Sequence, residues 1–241
     1  MEYHRPINVL KSLLGVGRTI HSRGLRIPYD RRIISRDYRR KLRVWHYERT
    51  EIKAIQALVQ PGDVVLELGA GIGYVSAFLA KNCRVREIHC FEANPELLPF
   101  IESVHRENGV EGIRIHHAVL GAEAGSAPFY IREKFVSSSL EPGTAAQQAR
   151  IRRVEQVEVR PARAAMDAIA PSFLVCDIEG AEAEILPLLD LAGLRGAVIE
   201  LHPQWIGQAG VAAVFETMAR AGLTFYPDVS RGKVAAFLRD W

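Results

Sequence analysis

What the chain lacks narrows the field first. Only three cysteines occur in 241 residues, Cys83, Cys90 and Cys176, odd in number and too scattered for a CxxC pair or a zinc cluster. That excludes a disulfide-stapled secreted scaffold and leads us to expect reduced thiols in a cytoplasmic protein. No long hydrophobic run is free of charge and glycine. The most apolar stretch, Val64 to Ala80, holds Glu67 and three glycines, which makes a poor membrane span. The first 23 residues have no apolar core of signal-peptide type, so neither an anchor nor a membrane partner is expected. Repeats, low-complexity tracts and obvious flexible linkers are also missing, and disordered and fibrous classes drop out with them.

With 48% apolar and 24% charged residues, the composition is that of an ordinary globular domain. A chain of this length buries well over half of its unfolded surface without disulfide or metal. The net charge of +3 hides a division: residues 1–50 carry 13 Lys/Arg against 4 Asp/Glu, and the remainder 18 against 24. A basic segment on an acidic body suits an anionic partner such as nucleic acid, phospholipid or a phosphorylated substrate. A solvated amphipathic surface is the plainer reading and is preferred on general grounds. The segment also has no aromatic interleaving of the kind that single-strand binders use. Residues 1–50 are expected to be a basic arm or lid, and 51–241 the main domain.

From residue 50 short apolar runs alternate with amphipathic helices, the pattern of a mostly parallel sheet covered by helices. Strands are expected at Asp63 to Leu68, Val85 to Phe91, Gly112 to Val119, Phe173 to Asp177 and Ala197 to Leu201. Helices are expected at Glu51 to Val59, Tyr74 to Lys81, Pro95 to Asn108, Ala181 to Leu189 and Val211 to Ala221. Leu223 to Tyr226 and Val234 to Leu238 read as a closing antiparallel hairpin, which makes seven strands. Residues 120–160 look irregular, with strand-like pieces at Ala127 to Arg132 and Gln156 to Arg160. The stretch Ser137-Ser138-Ser139 through Gly143 reads as a mobile loop.

The strongest motif is Glu67-Leu68-Gly69-Ala70-Gly71-Ile72-Gly73, running from a strand into a helix. Its glycines let the backbone turn tightly and let a ligand lie against main-chain atoms. The helix start beyond Gly73 offers free N–H groups to a carboxylate, and Glu67 offers a negative charge to an ammonium group. The methionine half of S-adenosylmethionine carries both groups, so S-adenosylmethionine is the expected cofactor. A dinucleotide fingerprint competes, but counting from Gly69 puts Tyr74 where its last glycine belongs, and Glu67 would oppose an anion there. Glu92, in Phe91-Glu92-Ala93-Asn94-Pro95 at the end of the second strand, is suited to accept ribose hydroxyls. The alternative is a helix cap, for which Asn94 is the better residue.

The match widens beyond this turn. It takes in Tyr47-Glu48-Arg49-Thr50-Glu51, Pro61-Gly62-Asp63-Val64-Val65-Leu66-Glu67-Leu68-Gly69-Ala70, Phe91-Glu92-Ala93-Asn94-Pro95 and Ser138-Ser139-Leu140. It continues with Cys176-Asp177-Ile178-Glu179-Gly180-Ala181-Glu182 and Val198-Ile199-Glu200-Leu201-His202-Pro203. Over residues 45–205 the sequence resembles the FkbM-type S-adenosylmethionine-dependent methyltransferases. Glu67, Gly71 and Val175 stand where that family usually has Asp, Asn and Lys.

The resemblance implies a class I methyltransferase fold: Rossmann-like α/β, a seven-stranded mostly parallel sheet with a C-terminal antiparallel hairpin, and helices on both faces. It implies O-methylation of a hydroxyl on a sugar, glycan or secondary metabolite. A nucleic-acid (RNA) methyltransferase using the basic arm and a catalytically inactive binding module are the alternatives. The expected partner is a small-molecule or glycan acceptor in preference to nucleic acid, with no membrane partner and homo-oligomerisation left open.

For the donor, the expected contacts are Tyr47 and Glu48 as a lid, then Glu67, Gly69, Ala70, Gly71 and Gly73 at the turn. Glu92, Ala93 and Asn94 would follow the second strand, Ala118 and Val119 would pack on adenine, and Asp177 would face the methionine end. An alcohol is a poor nucleophile until a base or metal removes its proton. His202 is the expected general base, since its ordinary pKa lies near neutral pH, with Asp177 and Glu179 beside the transfer point. Glu182 reads as a first-turn helix acid. Asp177, Glu179 and Glu200 have the oxygen chemistry for Mg²⁺, but three carboxylates at a sheet mouth are common, and no metal is expected.

Overall fold

The computed structural model describes residues 19–133 and 138–241. Most of the expected arm beyond residue 18 falls within these stretches; residues 1–18, and Ser137 of the expected loop, lie outside them. The described chain opens with a hairpin of β1 (Thr19–Ser22) and β2 (Leu25–Pro28), then α1 (Arg36–Arg43) and α2 (Arg49–Leu58). Next come β3 (Val64–Leu68), α3 (Tyr74–Asn82), β4 (Glu87–Phe91), α4 (Leu98–Asn108) and β5 (Ile113–His116). A second unit holds β6 (Val119–Gly121), β7 (Gly125–Arg132), α5 (Ala145–Gln148), β8 (Ile151–Pro161) and α6 (Ala162–Ile169). The chain closes with β9 (Phe173–Cys176), α7 (Glu182–Ile185), β10 (Gly196–Glu200), α8 (Pro203–Arg220), β11 (Thr224–Phe225) and β12 (Val234–Leu238).

Seven strands form one sheet in the order β5-β4-β3-β9-β10-β12-β11. All pairings are parallel except those of β12 with β10 and β11. The central strands are apolar on both faces because helices cover both. Val65, Phe173 and Val198 point toward α2, α3 and the β1–β2 hairpin. Their chain neighbours Leu66, Leu174 and Ile199 point toward α6 and α8, as the two-residue strand period requires. At the base of the sheet, buried Asp63 accepts from Arg195 and from Ser172 Oγ (2.7 Å), so the starts of β3, β9 and β10 are tied together.

Three expectations change. The third strand stops at His116, and Val119–Gly121 pairs with β8 in a separate three-stranded sheet. The stretch read as irregular holds that sheet, β6-β8-β7. Its longest strand was obscured by Arg152, Arg153, Glu155 and Glu158, which all face solvent, while Val157 alone is fully buried. The helix expected to reach Leu189 is α-helical only to Ile185, because Pro187 has no N–H to continue the ladder and the chain tightens into a 3₁₀ turn over Leu186–Leu188.

Candidate donor and acceptor site

The carboxyl ends of β3, β4, β9 and β10 open into a cavity of about 580 Å³, where open parallel sheets take their ligands. One end is apolar, walled by Phe91, Leu97, Ala118, Val119, Leu120 and Phe129. The other is acidic, with Glu48, Glu51, Asp177, Glu179 and Glu200. Lys41 and Arg49 bring cations to the wall, and Ser138, Ser139 and Leu140 cover the apolar end. A buried arginine, Arg132, holds this cover by donating to the carbonyls of Glu141 and Pro142 (both 2.8 Å) and to Ser139 Oγ (2.9 Å).

Of the expected donor contacts, Tyr47, Glu48, Gly69, Gly71, Glu92, Ala93, Ala118, Val119 and Asp177 line the cavity. Glu67 and Ala70 line a smaller hollow of about 30 Å³, together with Glu48, Glu51, Asp177 and Glu200. Gly73 and Asn94 line neither. Gly73 is the left-handed residue that starts α3 and rests against Ile101. Asn94 acts as a turn former, its Oδ1 accepting from Glu96 N at 3.0 Å. Gly69 has φ +87°, and a Cβ there would lie 1.7 Å from the Asp177 carbonyl oxygen. The donor turn and the loop after β9 therefore touch backbone to backbone.

Glu92 accepts from Gly71 N (2.8 Å) and Asn94 N (2.7 Å), one bond on each oxygen. Burial lifts its pKa to about 7, against the pull of those N–H groups. Each carboxylate oxygen keeps a lone pair for a further donor. Burial likewise raises Glu67 to about 8, with Ser76 opposing. Glu67 Oε2 and Asp177 Oδ1 are buried oxygens without a hydrogen-bond partner among the described residues. Such atoms are costly unless something donates to them, and an α-ammonium is a donor of the right charge. Bare glycine backbone, orphaned acceptors and an apolar slot for a purine together fit S-adenosylmethionine.

The comparisons with known proteins agree at this level. Residues 42–122 match the family model of the TRM5/TYW2 methyltransferase domain. Ribosomal RNA small subunit methyltransferase A of Rubrobacter xylanophilus is 44% identical over 57 residues, which is 23% of this chain and 20% of that protein. The chain thus matches only about a fifth of that relative's length. A methyltransferase from Pyrococcus furiosus aligns over 98% of both chains at 12% identity, with a TM-score of 0.49. TYW2 of M. jannaschii in complex with AdoMet aligns over 91% of this chain and 82% of its own at 10% identity, with a TM-score of 0.47.

The order of the seven-stranded sheet and the match to a methyltransferase-domain model give the fold of a class I methyltransferase, whose cofactor is S-adenosylmethionine. Two expectations are corrected. The family model that matches is TRM5/TYW2, not FkbM; it covers residues 42–122, which include the donor turn but neither Cys176–Glu182 nor Val198–Pro203 of the resemblance. The expectation against nucleic acid is corrected as well, since the matching model is TRM5/TYW2 and the matching relative is by name a ribosomal RNA methyltransferase.

At the acidic end, His202 is only 3% exposed and does not line the cavity. Its Nδ1 is hydrogen-bonded to Glu182 Oε1 at 2.7 Å. Its Nε2 faces Glu179 Oε2 at 3.3 Å, Asp177 Oδ1 at 3.7 Å and Glu200 Oε1 at 4.0 Å. Burial disfavours the imidazolium, but the bond to Glu182 and the charges of Glu179, Glu182 and Glu200 outweigh it and raise the His202 pKa. Asp177 and Glu179 thus stand on the cavity wall, and His202, expected as the general base, lies behind them and not on it.

Glu182, read as a first-turn helix acid, is fully buried and also accepts from Gly180 N at 3.0 Å. The signal for this was its place on one helical stripe with Ile185 and Leu186. Burial is the main cause of the raised pKa of Glu51 and Glu179, both to about 7, and of Asp177 and Glu48, which sit well above their ordinary range. Glu51, Lys41, Arg49 and Tyr38 are wall residues to which sequence reasoning gave no role.

Proposed function

We propose that the chain is an S-adenosylmethionine-dependent RNA methyltransferase. The observation that carries this reading is the TRM5/TYW2 match over residues 42–122, the stretch that builds the donor half of the cavity. The rim supports it. Arg31, Arg36, Arg40 and Arg49 are exposed between the hairpin and α2, and Lys41 and Arg49 reach the cavity wall beside the acidic end. Cations around an entrance hold phosphates, while neutral or weakly charged carboxyls inside receive the N–H and O–H groups of a base or ribose.

Bound S-adenosylmethionine supplies an electrophilic methyl group. Gly69 and Gly71 would give it bare backbone, Glu67 would receive its ammonium group, and Glu92 its ribose hydroxyls. Glu179, near neutral pKa and open to the cavity, takes the acceptor's proton at its carboxylate oxygen. Asp177 orients the acceptor. His202, held by Glu182, lies 3.3 Å from Glu179 and works against the rise that burial causes in that carboxyl's pKa. The apolar wall and the cover at Ser138–Leu140 keep water from the transferring group.

The test is RNA binding against salt, with methyl transfer from labelled donor into transfer and ribosomal RNA fragments. A log–log slope corresponding to several phosphates is expected, at roughly −0.7 per contact for single strands. The Arg31→Glu/Arg36→Glu variant, at two exposed arginines off the cavity wall, should flatten the slope while leaving donor affinity unchanged. A flat wild-type slope with no label in RNA would overturn the reading.

A further inference from the structure

We infer that Trp205 is a stacking platform for an unpaired nucleobase of the RNA, set at the rim of the acceptor end; this rests on the functional reading above. Beyond β10 the chain passes His202 and Pro203 into the first turn of α8, where Trp205 N donates to His202 O at 2.8 Å. The side chain then crosses to the loop after β9. A Cβ on Gly180 would lie 2.8 Å from Trp205 Cβ and 3.0 Å from its Cγ. Gly180 therefore seats the indole one residue from Glu179, which lines the cavity.

Anchored in this way, Trp205 is still 42% exposed. Two other exposed aromatics are already engaged, Phe225 with Phe215 and Phe237, and Trp241 with Tyr226. Trp205 has no aromatic partner among the described residues. Residues 203–215 contain no charged side chain, so the segment that carries the indole adds no repulsion of its own to that of the acidic wall. The turn that carries it is set off from the rest of α8 by Gly207, whose φ of 64° and ψ of −175° break the helix. A fixed, half-open indole beside a proton-accepting wall is what a splayed base needs on its π-face.

The experiment uses the full chain with Trp45→Phe and Trp241→Phe, which leaves Trp205 as the one fluorophore, and compares Trp205→Ala and Trp205→Phe in the wild-type background. The probe is a single-stranded RNA oligonucleotide. Quenching of Trp205 on titration is expected. Trp205→Ala should weaken RNA binding by about 10-fold or more at every salt concentration with the salt slope unchanged, since one lost stack removes no phosphate contact. Trp205→Phe should stay within about 3-fold of wild type, and donor affinity should not move in either variant. Wild-type RNA binding with no quenching and no effect of Trp205→Ala overturns the platform and leaves the functional reading standing. Loss of donor binding in Trp205→Ala overturns it in favour of packing on Gly180. No salt-dependent RNA binding by the wild type overturns both.

Discussion

Gly69 and Gly71 stand two residues apart in one turn, and alanine would meet different obstacles at each. At Gly69 a methyl group collides with the Asp177 carbonyl at 1.7 Å, and φ is +87°. At Gly71 φ is +55° and the nearest heavy atom to a Cβ is Tyr47 Oη, 4.0 Å away. Gly71→Ala should therefore cost about 1–2 kcal/mol of left-handed strain and spare the fold. Gly69→Ala should cost at least about 3 kcal/mol and abolish donor binding, because backbone has to move. Thermal melts and donor titration of the two variants check this, and equal effects would refute it. The turn is legible in sequence because its chemistry is local: spacing alone puts bare backbone after a strand. Glu182 is not, because its partner His202 lies 20 residues away, and the two meet only when β9 and β10 pair through Cys176 and Ile199.

Among the elements, the β1–β2 hairpin carries the most unexpected load. Ile20, Leu25 and Ile27 are wholly buried in the same core as α2 and α3, although residues 1–50 read from charge alone as a basic surface. Asn108, at the end of α4, docks the hairpin as a strand would: its Oδ1 accepts from Arg26 N at 2.9 Å and its Nδ2 donates to Arg26 O at 2.8 Å. Ser22 Oγ reaches Tyr74 Oη at 2.9 Å from the other side. Asn108→Ala should lower stability by about 1–2 kcal/mol and speed amide exchange selectively in Thr19–Pro28, with donor affinity kept. Uniform exchange across the sheet would argue against local docking. Charge hides both this hairpin and β8 from sequence reasoning, since arginines that face solvent say nothing about the isoleucines and valines between them. The central strands of the main sheet are legible because both their faces are apolar, and β5, at an edge with Arg114 exposed, is the strand whose end is misjudged by more than two residues.

For the whole molecule, the buried acids set the response to pH. Glu51, Glu92 and Glu179 titrate near 7 and Glu67 near 8, against an unfolded value near 4.5. Between those limits the folded chain holds protons that the unfolded chain has lost, so stability falls as pH rises. Below about 6.5 the buried histidines His89, His105 and His116, whose pKa values are lowered mainly by burial, act in the opposite sense. From 6.5 to 8 nothing comparable opposes the acids. The melting temperature should drop steadily across that window and should drop less with S-adenosylmethionine bound, because a cation favours the ionised carboxyls. Calorimetry in two buffers of different ionisation enthalpy should register protons released on donor binding; a flat or rising melting profile would refute the assignment.

The contact of Gly69 with the Asp177 carbonyl has one more effect. On the proposed function it makes the seat of the donor and the seat of the acceptor a single solid piece, bolted across neighbouring strands at the centre of the sheet. Neither can drift without dragging its companion, so their alignment is inherited from folding and does not have to be rebuilt at every turnover. Admission and exit then fall to the outer wall, to α1 with Tyr38 and Lys41 and to the cover that Arg132 pins at Ser139 and Glu141. Variation there is free to change what enters while leaving the alignment untouched.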